Sequence, residues 1–228
     1  MKKDLILIHG ALGAGKQFDE LAEILNHDYN VLVYEIPGHG KRASEKVSFR
    51  IENFALDFKE FLKKLNNSVN VFGFSMGGYV SLYLANTNPE YFQNIITLGT
   101  KFHWSFNESL KETQKLNIEL LEAKVPQYCR YLESLHGAHW KRVVEETKKM
   151  MLLLGENPLI NETSCKEIKT KTLLMLGELD KMVTKEETQL IHDNLVNSEF
   201  KILPAFVHPL EKLDTHLLAE TLKAVLNE

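Results

Sequence analysis

A serine hydroxyl becomes a useful nucleophile only when the chain strains it into the open and supplies a base to take its proton. Gly73-Phe74-Ser75-Met76-Gly77 has the form G-x-S-x-G. It follows the apolar run 69–72 and leads into Tyr79, Val80, Leu82, Leu84 and Ala85, whose pattern is helical. Between a strand and a helix such a turn has to be tight. Small residues two positions before and after the serine let neighbouring backbone pass, and the hydroxyl is left exposed above the sheet. The helix that follows directs the positive end of its dipole at the same spot, favouring negative charge that develops there. A glycine-rich turn without chemistry is the competing reading of the motif alone; the flanking strand and helix and the additional Gly78 weigh against it.

A base and an acid to orient it should lie further along. The run 200–203 is followed by Pro204-Ala205-Phe206-Val207-His208, which puts His208 in a loop beyond the end of a strand. One strand earlier, 172–176 runs into Gly177-Glu178-Leu179-Asp180, placing Asp180 in the neighbouring loop. The chain order Ser75, Asp180, His208 is the expected one for this arrangement. Glu178 is the nearest rival for the acid, while Gly99-Thr100-Lys101 offers no carboxylate. Among other histidines, His9 and His39 fall in turns and His216 in a helical pattern. A tetrahedral intermediate also needs two backbone N–H donors for its oxyanion. Met76, next after the serine, is one, and Ala11 in His9-Gly10-Ala11-Leu12-Gly13 is the expected other.

The same early turn carries a competing motif. Gly10-Ala11-Leu12-Gly13-Ala14-Gly15-Lys16 matches the start of a phosphate-binding loop, but Gln17 stands where a magnesium-ligating Ser or Thr is needed. His136 and His139 do not make a zinc motif and read as polar pocket or surface residues. No metal or cofactor is expected. The chain carries 27 Lys and Arg against 31 Asp and Glu, a formal net charge of −4, with the positive residues scattered rather than striped. That argues against nucleic acid and anionic membrane as partners and for a small molecule. Cys129 and Cys165 have no metal-like spacing and read as packed free thiols, which suits a reducing cytoplasm. The apolar run 5–8 is too short for a signal peptide core and reads as a buried strand.

Six short aliphatic runs, at 5–8, 31–34, 69–72, 95–98, 172–176 and 200–203, read as strands. Helical stripes lie between several of them: Phe18, Leu21, Ala22 and Leu25, then Ile51, Phe54, Ala55, Phe58, Phe61, Leu62 and Leu65. Alternating strands and amphipathic helices predict an α/β fold with a mainly parallel sheet covered on both faces. The segment 101–161 breaks the rhythm. It has helical stripes at Tyr128, Tyr131, Leu132 and Leu135, and at Trp140, Val143, Val144, Thr147, Met151 and Leu154, but no strand. It reads as a helical cap inserted between the fourth and fifth strands, with 1–100 and 162–228 forming the core. Ordinary core helices are the alternative.

Taken together, His9-Gly10-Ala11, Pro37-Gly38-His39-Gly40, Gly73-Phe74-Ser75-Met76-Gly77-Gly78, Asp180 and His208 resemble the α/β-hydrolase superfamily, in particular its small, capped, single-domain members. The resemblance spans essentially the whole chain. It implies a serine hydrolase of esters or thioesters with a Ser75–His208–Asp180 triad. It does not select a substrate, because similar proteins include carboxylesterases, thioesterases, lyases and carbon–carbon bond hydrolases. A lyase or carbon–carbon hydrolase using the same triad, or a ligand-binding protein on the same fold, therefore remains an alternative. Two positions depart from the family pattern: Glu35 stands where Asp is common, and Val207 where Gly often precedes the histidine. Ala11 is small where relatives often carry a bulkier residue, which leaves room near the acyl end of a pocket. Oligomeric state is left open.

Overall fold

In the computed structural model, which describes residues 2–65 and 67–226, the aliphatic runs form the strands β1 (Asp4–Ile8), β2 (Asn30–Tyr34), β3 (Val69–Phe74), β4 (Phe92–Leu98), β5 (Lys171–Gly177) and β6 (Ser198–Leu203). They pair in parallel in the order β2-β1-β3-β4-β5-β6. A parallel sheet needs cover on both faces, and β1 shows why its sequence is continuously apolar. Ile6 and Ile8 join one core cluster with Phe54 and Phe58 of α2 (Ile51–Leu62) and Val80 and Leu84 of α3 (Met76–Thr87). Leu5 and Leu7 join the other, with Leu21 of α1 (Asp19–Leu25) and Leu218 and Leu222 of the C-terminal helix Thr215–Leu226.

The strand order fixes where a ligand would sit. From β1 the chain steps to one side to make β2, then crosses back to place β3 on the other. At such a reversal the loops leaving the carboxyl ends of two adjacent strands diverge and open a crevice. Here the strands are β1 and β3, so the crevice lies between the turn after Ile8 and the turn containing Ser75.

Four helices connect β4 to β5: α4 (Phe106–Gln114), α5 (Ile118–Lys124), α6 (Pro126–His136) and α7 (Trp140–Glu156). Their starts are written in the sequence. Ser105 Oγ accepts from Glu108 N–H, Asn117 Oδ1 accepts from Leu120 N–H, and Pro126 occupies the first turn of α6, where its missing N–H has no helical partner to lose. Leu132, Val143, Val144 and Leu154 belong to the same apolar cluster as the α2–α3 face of the sheet. After β5 come α8 (Lys185–Asn194), β6 and the C-terminal helix, α9. Both cysteines are free and buried. Among the described residues no helix is long and apolar enough to cross a membrane.

Candidate active site

Ser75 sits between β3 and α3 with φ +50° and ψ −115°, a conformation that costs an L-residue energy and persists only when neighbours hold it. Its N–H donates to Leu98 O (2.9 Å). Its carbonyl accepts from Thr100 Oγ1 (2.9 Å) and Gly78 N–H (3.0 Å). Gly77 is required by close approach, since a Cβ there would lie 2.8 Å from His9 O and nearer still to Ile8 O. Both obstacles are backbone and cannot rotate away. Gly77→Ala is therefore expected to lower stability by about 3 kcal/mol or more, read from the urea midpoint; an unchanged midpoint would mean that the turn is not packed against β1.

The loops after β5 and β6 bring Asp180 and His208 together, with His208 Nδ1 2.8 Å from Asp180 Oδ2. The other oxygen, Asp180 Oδ1, accepts from Met182 N–H (2.8 Å) and Val183 N–H (2.9 Å). Burial pushes this carboxyl up, but the His208 contact and the two N–H groups outweigh it and hold Asp180 below the ordinary aspartate range. An ionised Asp180 favours the His208 tautomer that carries its proton on Nδ1, the tautomer in which Nε2 is the acceptor. Gly99, at φ +62°, makes space for the pair: a Cβ there would lie 3.2 Å from both Asp180 Oδ2 and His208 Nδ1. Glu178 is exposed, and one of its carboxylate oxygens instead accepts from Ala205 N–H (3.3 Å).

Ser75 and His208 face one cavity of about 650 Å³, within the usual range for small-molecule sites. Ala11, Tyr128, Tyr131 and Met151 share its wall. Lys181 and Lys212 line it too. Of the apolar residues singled out between β4 and β5, Trp140, Val143 and Val144 belong to the core instead.

The turn after β1 is tied down from three sides that the sequence did not reveal. Leu12 has φ +59°, and its carbonyl accepts from His136 Nε2 (2.9 Å) at the end of α6. Gly40 N–H donates to His136 Nδ1 (3.0 Å). Gln17 Oε1 accepts from Ala14 N–H (3.0 Å), while its amide donates to Tyr131 OH (2.9 Å). Glu35 accepts from Gly15 N–H (2.7 Å) and Lys41 N–H (3.3 Å), with Oε1 3.2 Å from His9 Nε2. Burial pushes the Glu35 carboxyl up, but His9 and these N–H groups hold it below the ordinary glutamate range. Glu35, which in sequence is only a departure from a family pattern, thus anchors two turns. His136 is 3% exposed, not a surface residue.

His9, His39 and His136 form a buried ring cluster, with His39 centred 5.2 Å from His9 and 5.9 Å from His136. Burial depresses the pKa of His39 well below the usual value, reinforced by His9, and burial likewise lowers that of His136. The unfolded chain binds protons at these positions below about pH 6.5, where the folded chain refuses them. Stability is therefore complete above about pH 6.5 and falls with acidification toward the depressed folded values, by up to about 1.4 kcal/mol per pH unit for each histidine. Urea midpoints at pH 7, 6 and 5 should decline, and His136→Gln should weaken the decline. A flat profile to pH 5 would mean that His39 and His136 are not held neutral.

Residues 4–117 match the family model described as alpha/beta hydrolase fold, and the chain belongs to that family. It is 25% identical over 223 residues to a protein named putative carbamate hydrolase RutD from Stutzerimonas stutzeri, covering 87% of this chain and 82% of that one. A pimeloyl-[acyl-carrier protein] methyl ester esterase from Vibrio cholerae is 28% identical over 98 residues, 43% of this chain and 37% of the esterase. In three dimensions NosK from Streptomyces actuosus superimposes with a TM-score of 0.83 at 19% identity, over 98% of this chain and 97% of NosK. The coarse class is therefore a hydrolase on the α/β-hydrolase fold.

Proposed function

We propose that the protein is a serine hydrolase that cleaves an ester or thioester of a small, partly apolar substrate through an acyl-enzyme on Ser75. The observation that carries this reading is the opening of a strained Ser75 and an Asp180-paired His208 onto the same cavity. Ser75 Oγ attacks the carbonyl carbon and its proton passes to His208 Nε2, while Asp180 stabilises the imidazolium. The carbonyl oxygen becomes an oxyanion, held by the N–H groups of Ala11 and Met76. When the bond to the leaving group breaks, His208 returns the proton to the departing oxygen or sulfur. Water, deprotonated by the same nitrogen, then releases the acid and restores Ser75. The chain and water suffice for this cycle.

In this reading the segment 101–161 acts as a cap over a core made of 1–100 and 162–228, and Tyr128, Tyr131 and Met151 give its side of the cavity an apolar surface. The test is turnover of p-nitrophenyl esters in large excess over protein. Many product equivalents per chain at a steady rate support the hydrolase. A single equivalent followed by arrest would favour a binding protein with a vestigial triad, and no release would favour a lyase.

A further inference from the structure

Beside the main cavity lies a second, much smaller space, and the two meet at Ser75. The recess has a volume of about 30 Å³ and is walled by Met76, Tyr79, Trp104, Met150, Met151 and Leu154. Every one of these side chains is buried. Ala11, Ser75, Met151 and Met182 line both spaces, but His208 lines only the large one. Lys101 also reaches the recess, but its ammonium lies 3.5 Å from Glu108 and 3.6 Å from Glu187, so its charge is already balanced.

We infer that the enzyme takes short acyl groups, of about two to four carbons, attached to a considerably larger leaving group; this rests on the Ser75 hydrolase reading above. The assignment of sides follows from the proton. His208 must return it to the leaving atom, so the leaving group extends into the space that His208 lines, the cavity of about 650 Å³. The acyl chain extends the other way, past Met76 and away from His208, into the recess. A space of roughly 10–15 Å³ holds one water-sized group, so this recess accepts about two or three heavy atoms beyond the carbonyl carbon. Tyr79 cannot swing aside cheaply, because its hydroxyl accepts from the N–H groups of Leu159 (3.1 Å) and Ile160 (2.8 Å). The end of the recess is set by Met150 and Leu154 on α7.

Benzyl acetate and methyl phenylacetate are isomers with leaving alcohols of similar acidity, and they differ only in which side of the ester carries the ring. The inference predicts kcat/KM at least about 100-fold higher for benzyl acetate, since even one methylene that a pocket cannot accept costs about 10–200-fold. Leu154→Ala should raise kcat/KM for methyl phenylacetate and narrow the gap, with Met150→Ala as the second variant if the first does not fold. p-Nitrophenyl acetate, assayed alongside with Ser75→Ala as control, separates the two levels of the account. Equal or reversed preference between the isomers, with Ser75-dependent hydrolysis intact, would overturn the acyl limit alone. Absence of Ser75-dependent hydrolysis of every ester would overturn the hydrolase reading as well.

Discussion

Ser75→Ala is expected to reduce turnover of activated esters by on the order of 10⁶, and His208→Ala by a similar factor, because in the proposed cycle the two act as one unit. That factor corresponds to about 8 kcal/mol of transition-state stabilisation. The double variant should therefore be little worse than either single one. Residual catalysis would come from binding and from the oxyanion donors, which neither substitution removes. Thermal unfolding should change little in Ser75→Ala, and relief of backbone strain will not be large, since alanine at φ +50° is strained as well. A Ser75→Ala variant that kept a tenth of the activity would show that another residue carries the nucleophile.

Asp180→Asn should cost on the order of 10⁴ in turnover, and the reason is geometric. Asp180 Oδ1 is committed to two backbone donors, Met182 N–H and Val183 N–H. An asparagine keeps those bonds only by placing its own oxygen there, which turns its NH₂ toward His208 Nδ1. That donor demands a lone pair on Nδ1, forcing the proton onto Nε2, where it blocks acceptance of the Ser75 proton. Glu178→Gln should be nearly silent by comparison, because Glu178 is exposed and directed at the Ala205 N–H. Steady-state kinetics on one activated ester decide between them; a severe Glu178→Gln and a mild Asp180→Asn would reverse the assignment of the acid.

Much of this geometry was legible because it is local. Gly73, Ser75 and Gly77 are separated by single residues, and their strand-turn-helix setting follows from the apolar run before and the helical pattern after. Asp180 and His208 could be placed for a related reason: each lies a few residues beyond a strand, and parallel neighbours β5 and β6 put their carboxyl ends side by side. Element ends were less accessible. The stripe through Leu65 continues the periodicity of α2, yet the helix stops at Leu62, where Lys63-Lys64 begin a turn closed by Leu65 N–H donating to Leu62 O (2.9 Å).

The contacts that sequence did not disclose join distant segments. His136 meets Leu12 across 124 positions, Gln17 meets Tyr131 across 114, and Glu35 reaches Gly15 across 20. No periodicity marks such pairs. A lone histidine at a helix end looks solvated until the fold brings a left-handed carbonyl against it. The short recess is hidden for the same reason, since its size depends on how Met150 and Leu154 of α7 settle against Tyr79 of α3.

Covalent labelling asks whether Ser75 is an activated nucleophile in a working hydrolase. The protein is exposed to a fluorophosphonate, weighed intact, and compared with Ser75→Ala, with turnover of p-nitrophenyl acetate followed in parallel. An activated Ser75 gives a single adduct, its absence in the variant, and steady ester hydrolysis that the label abolishes. No adduct on a folded protein, or an adduct that persists in Ser75→Ala, would contradict it.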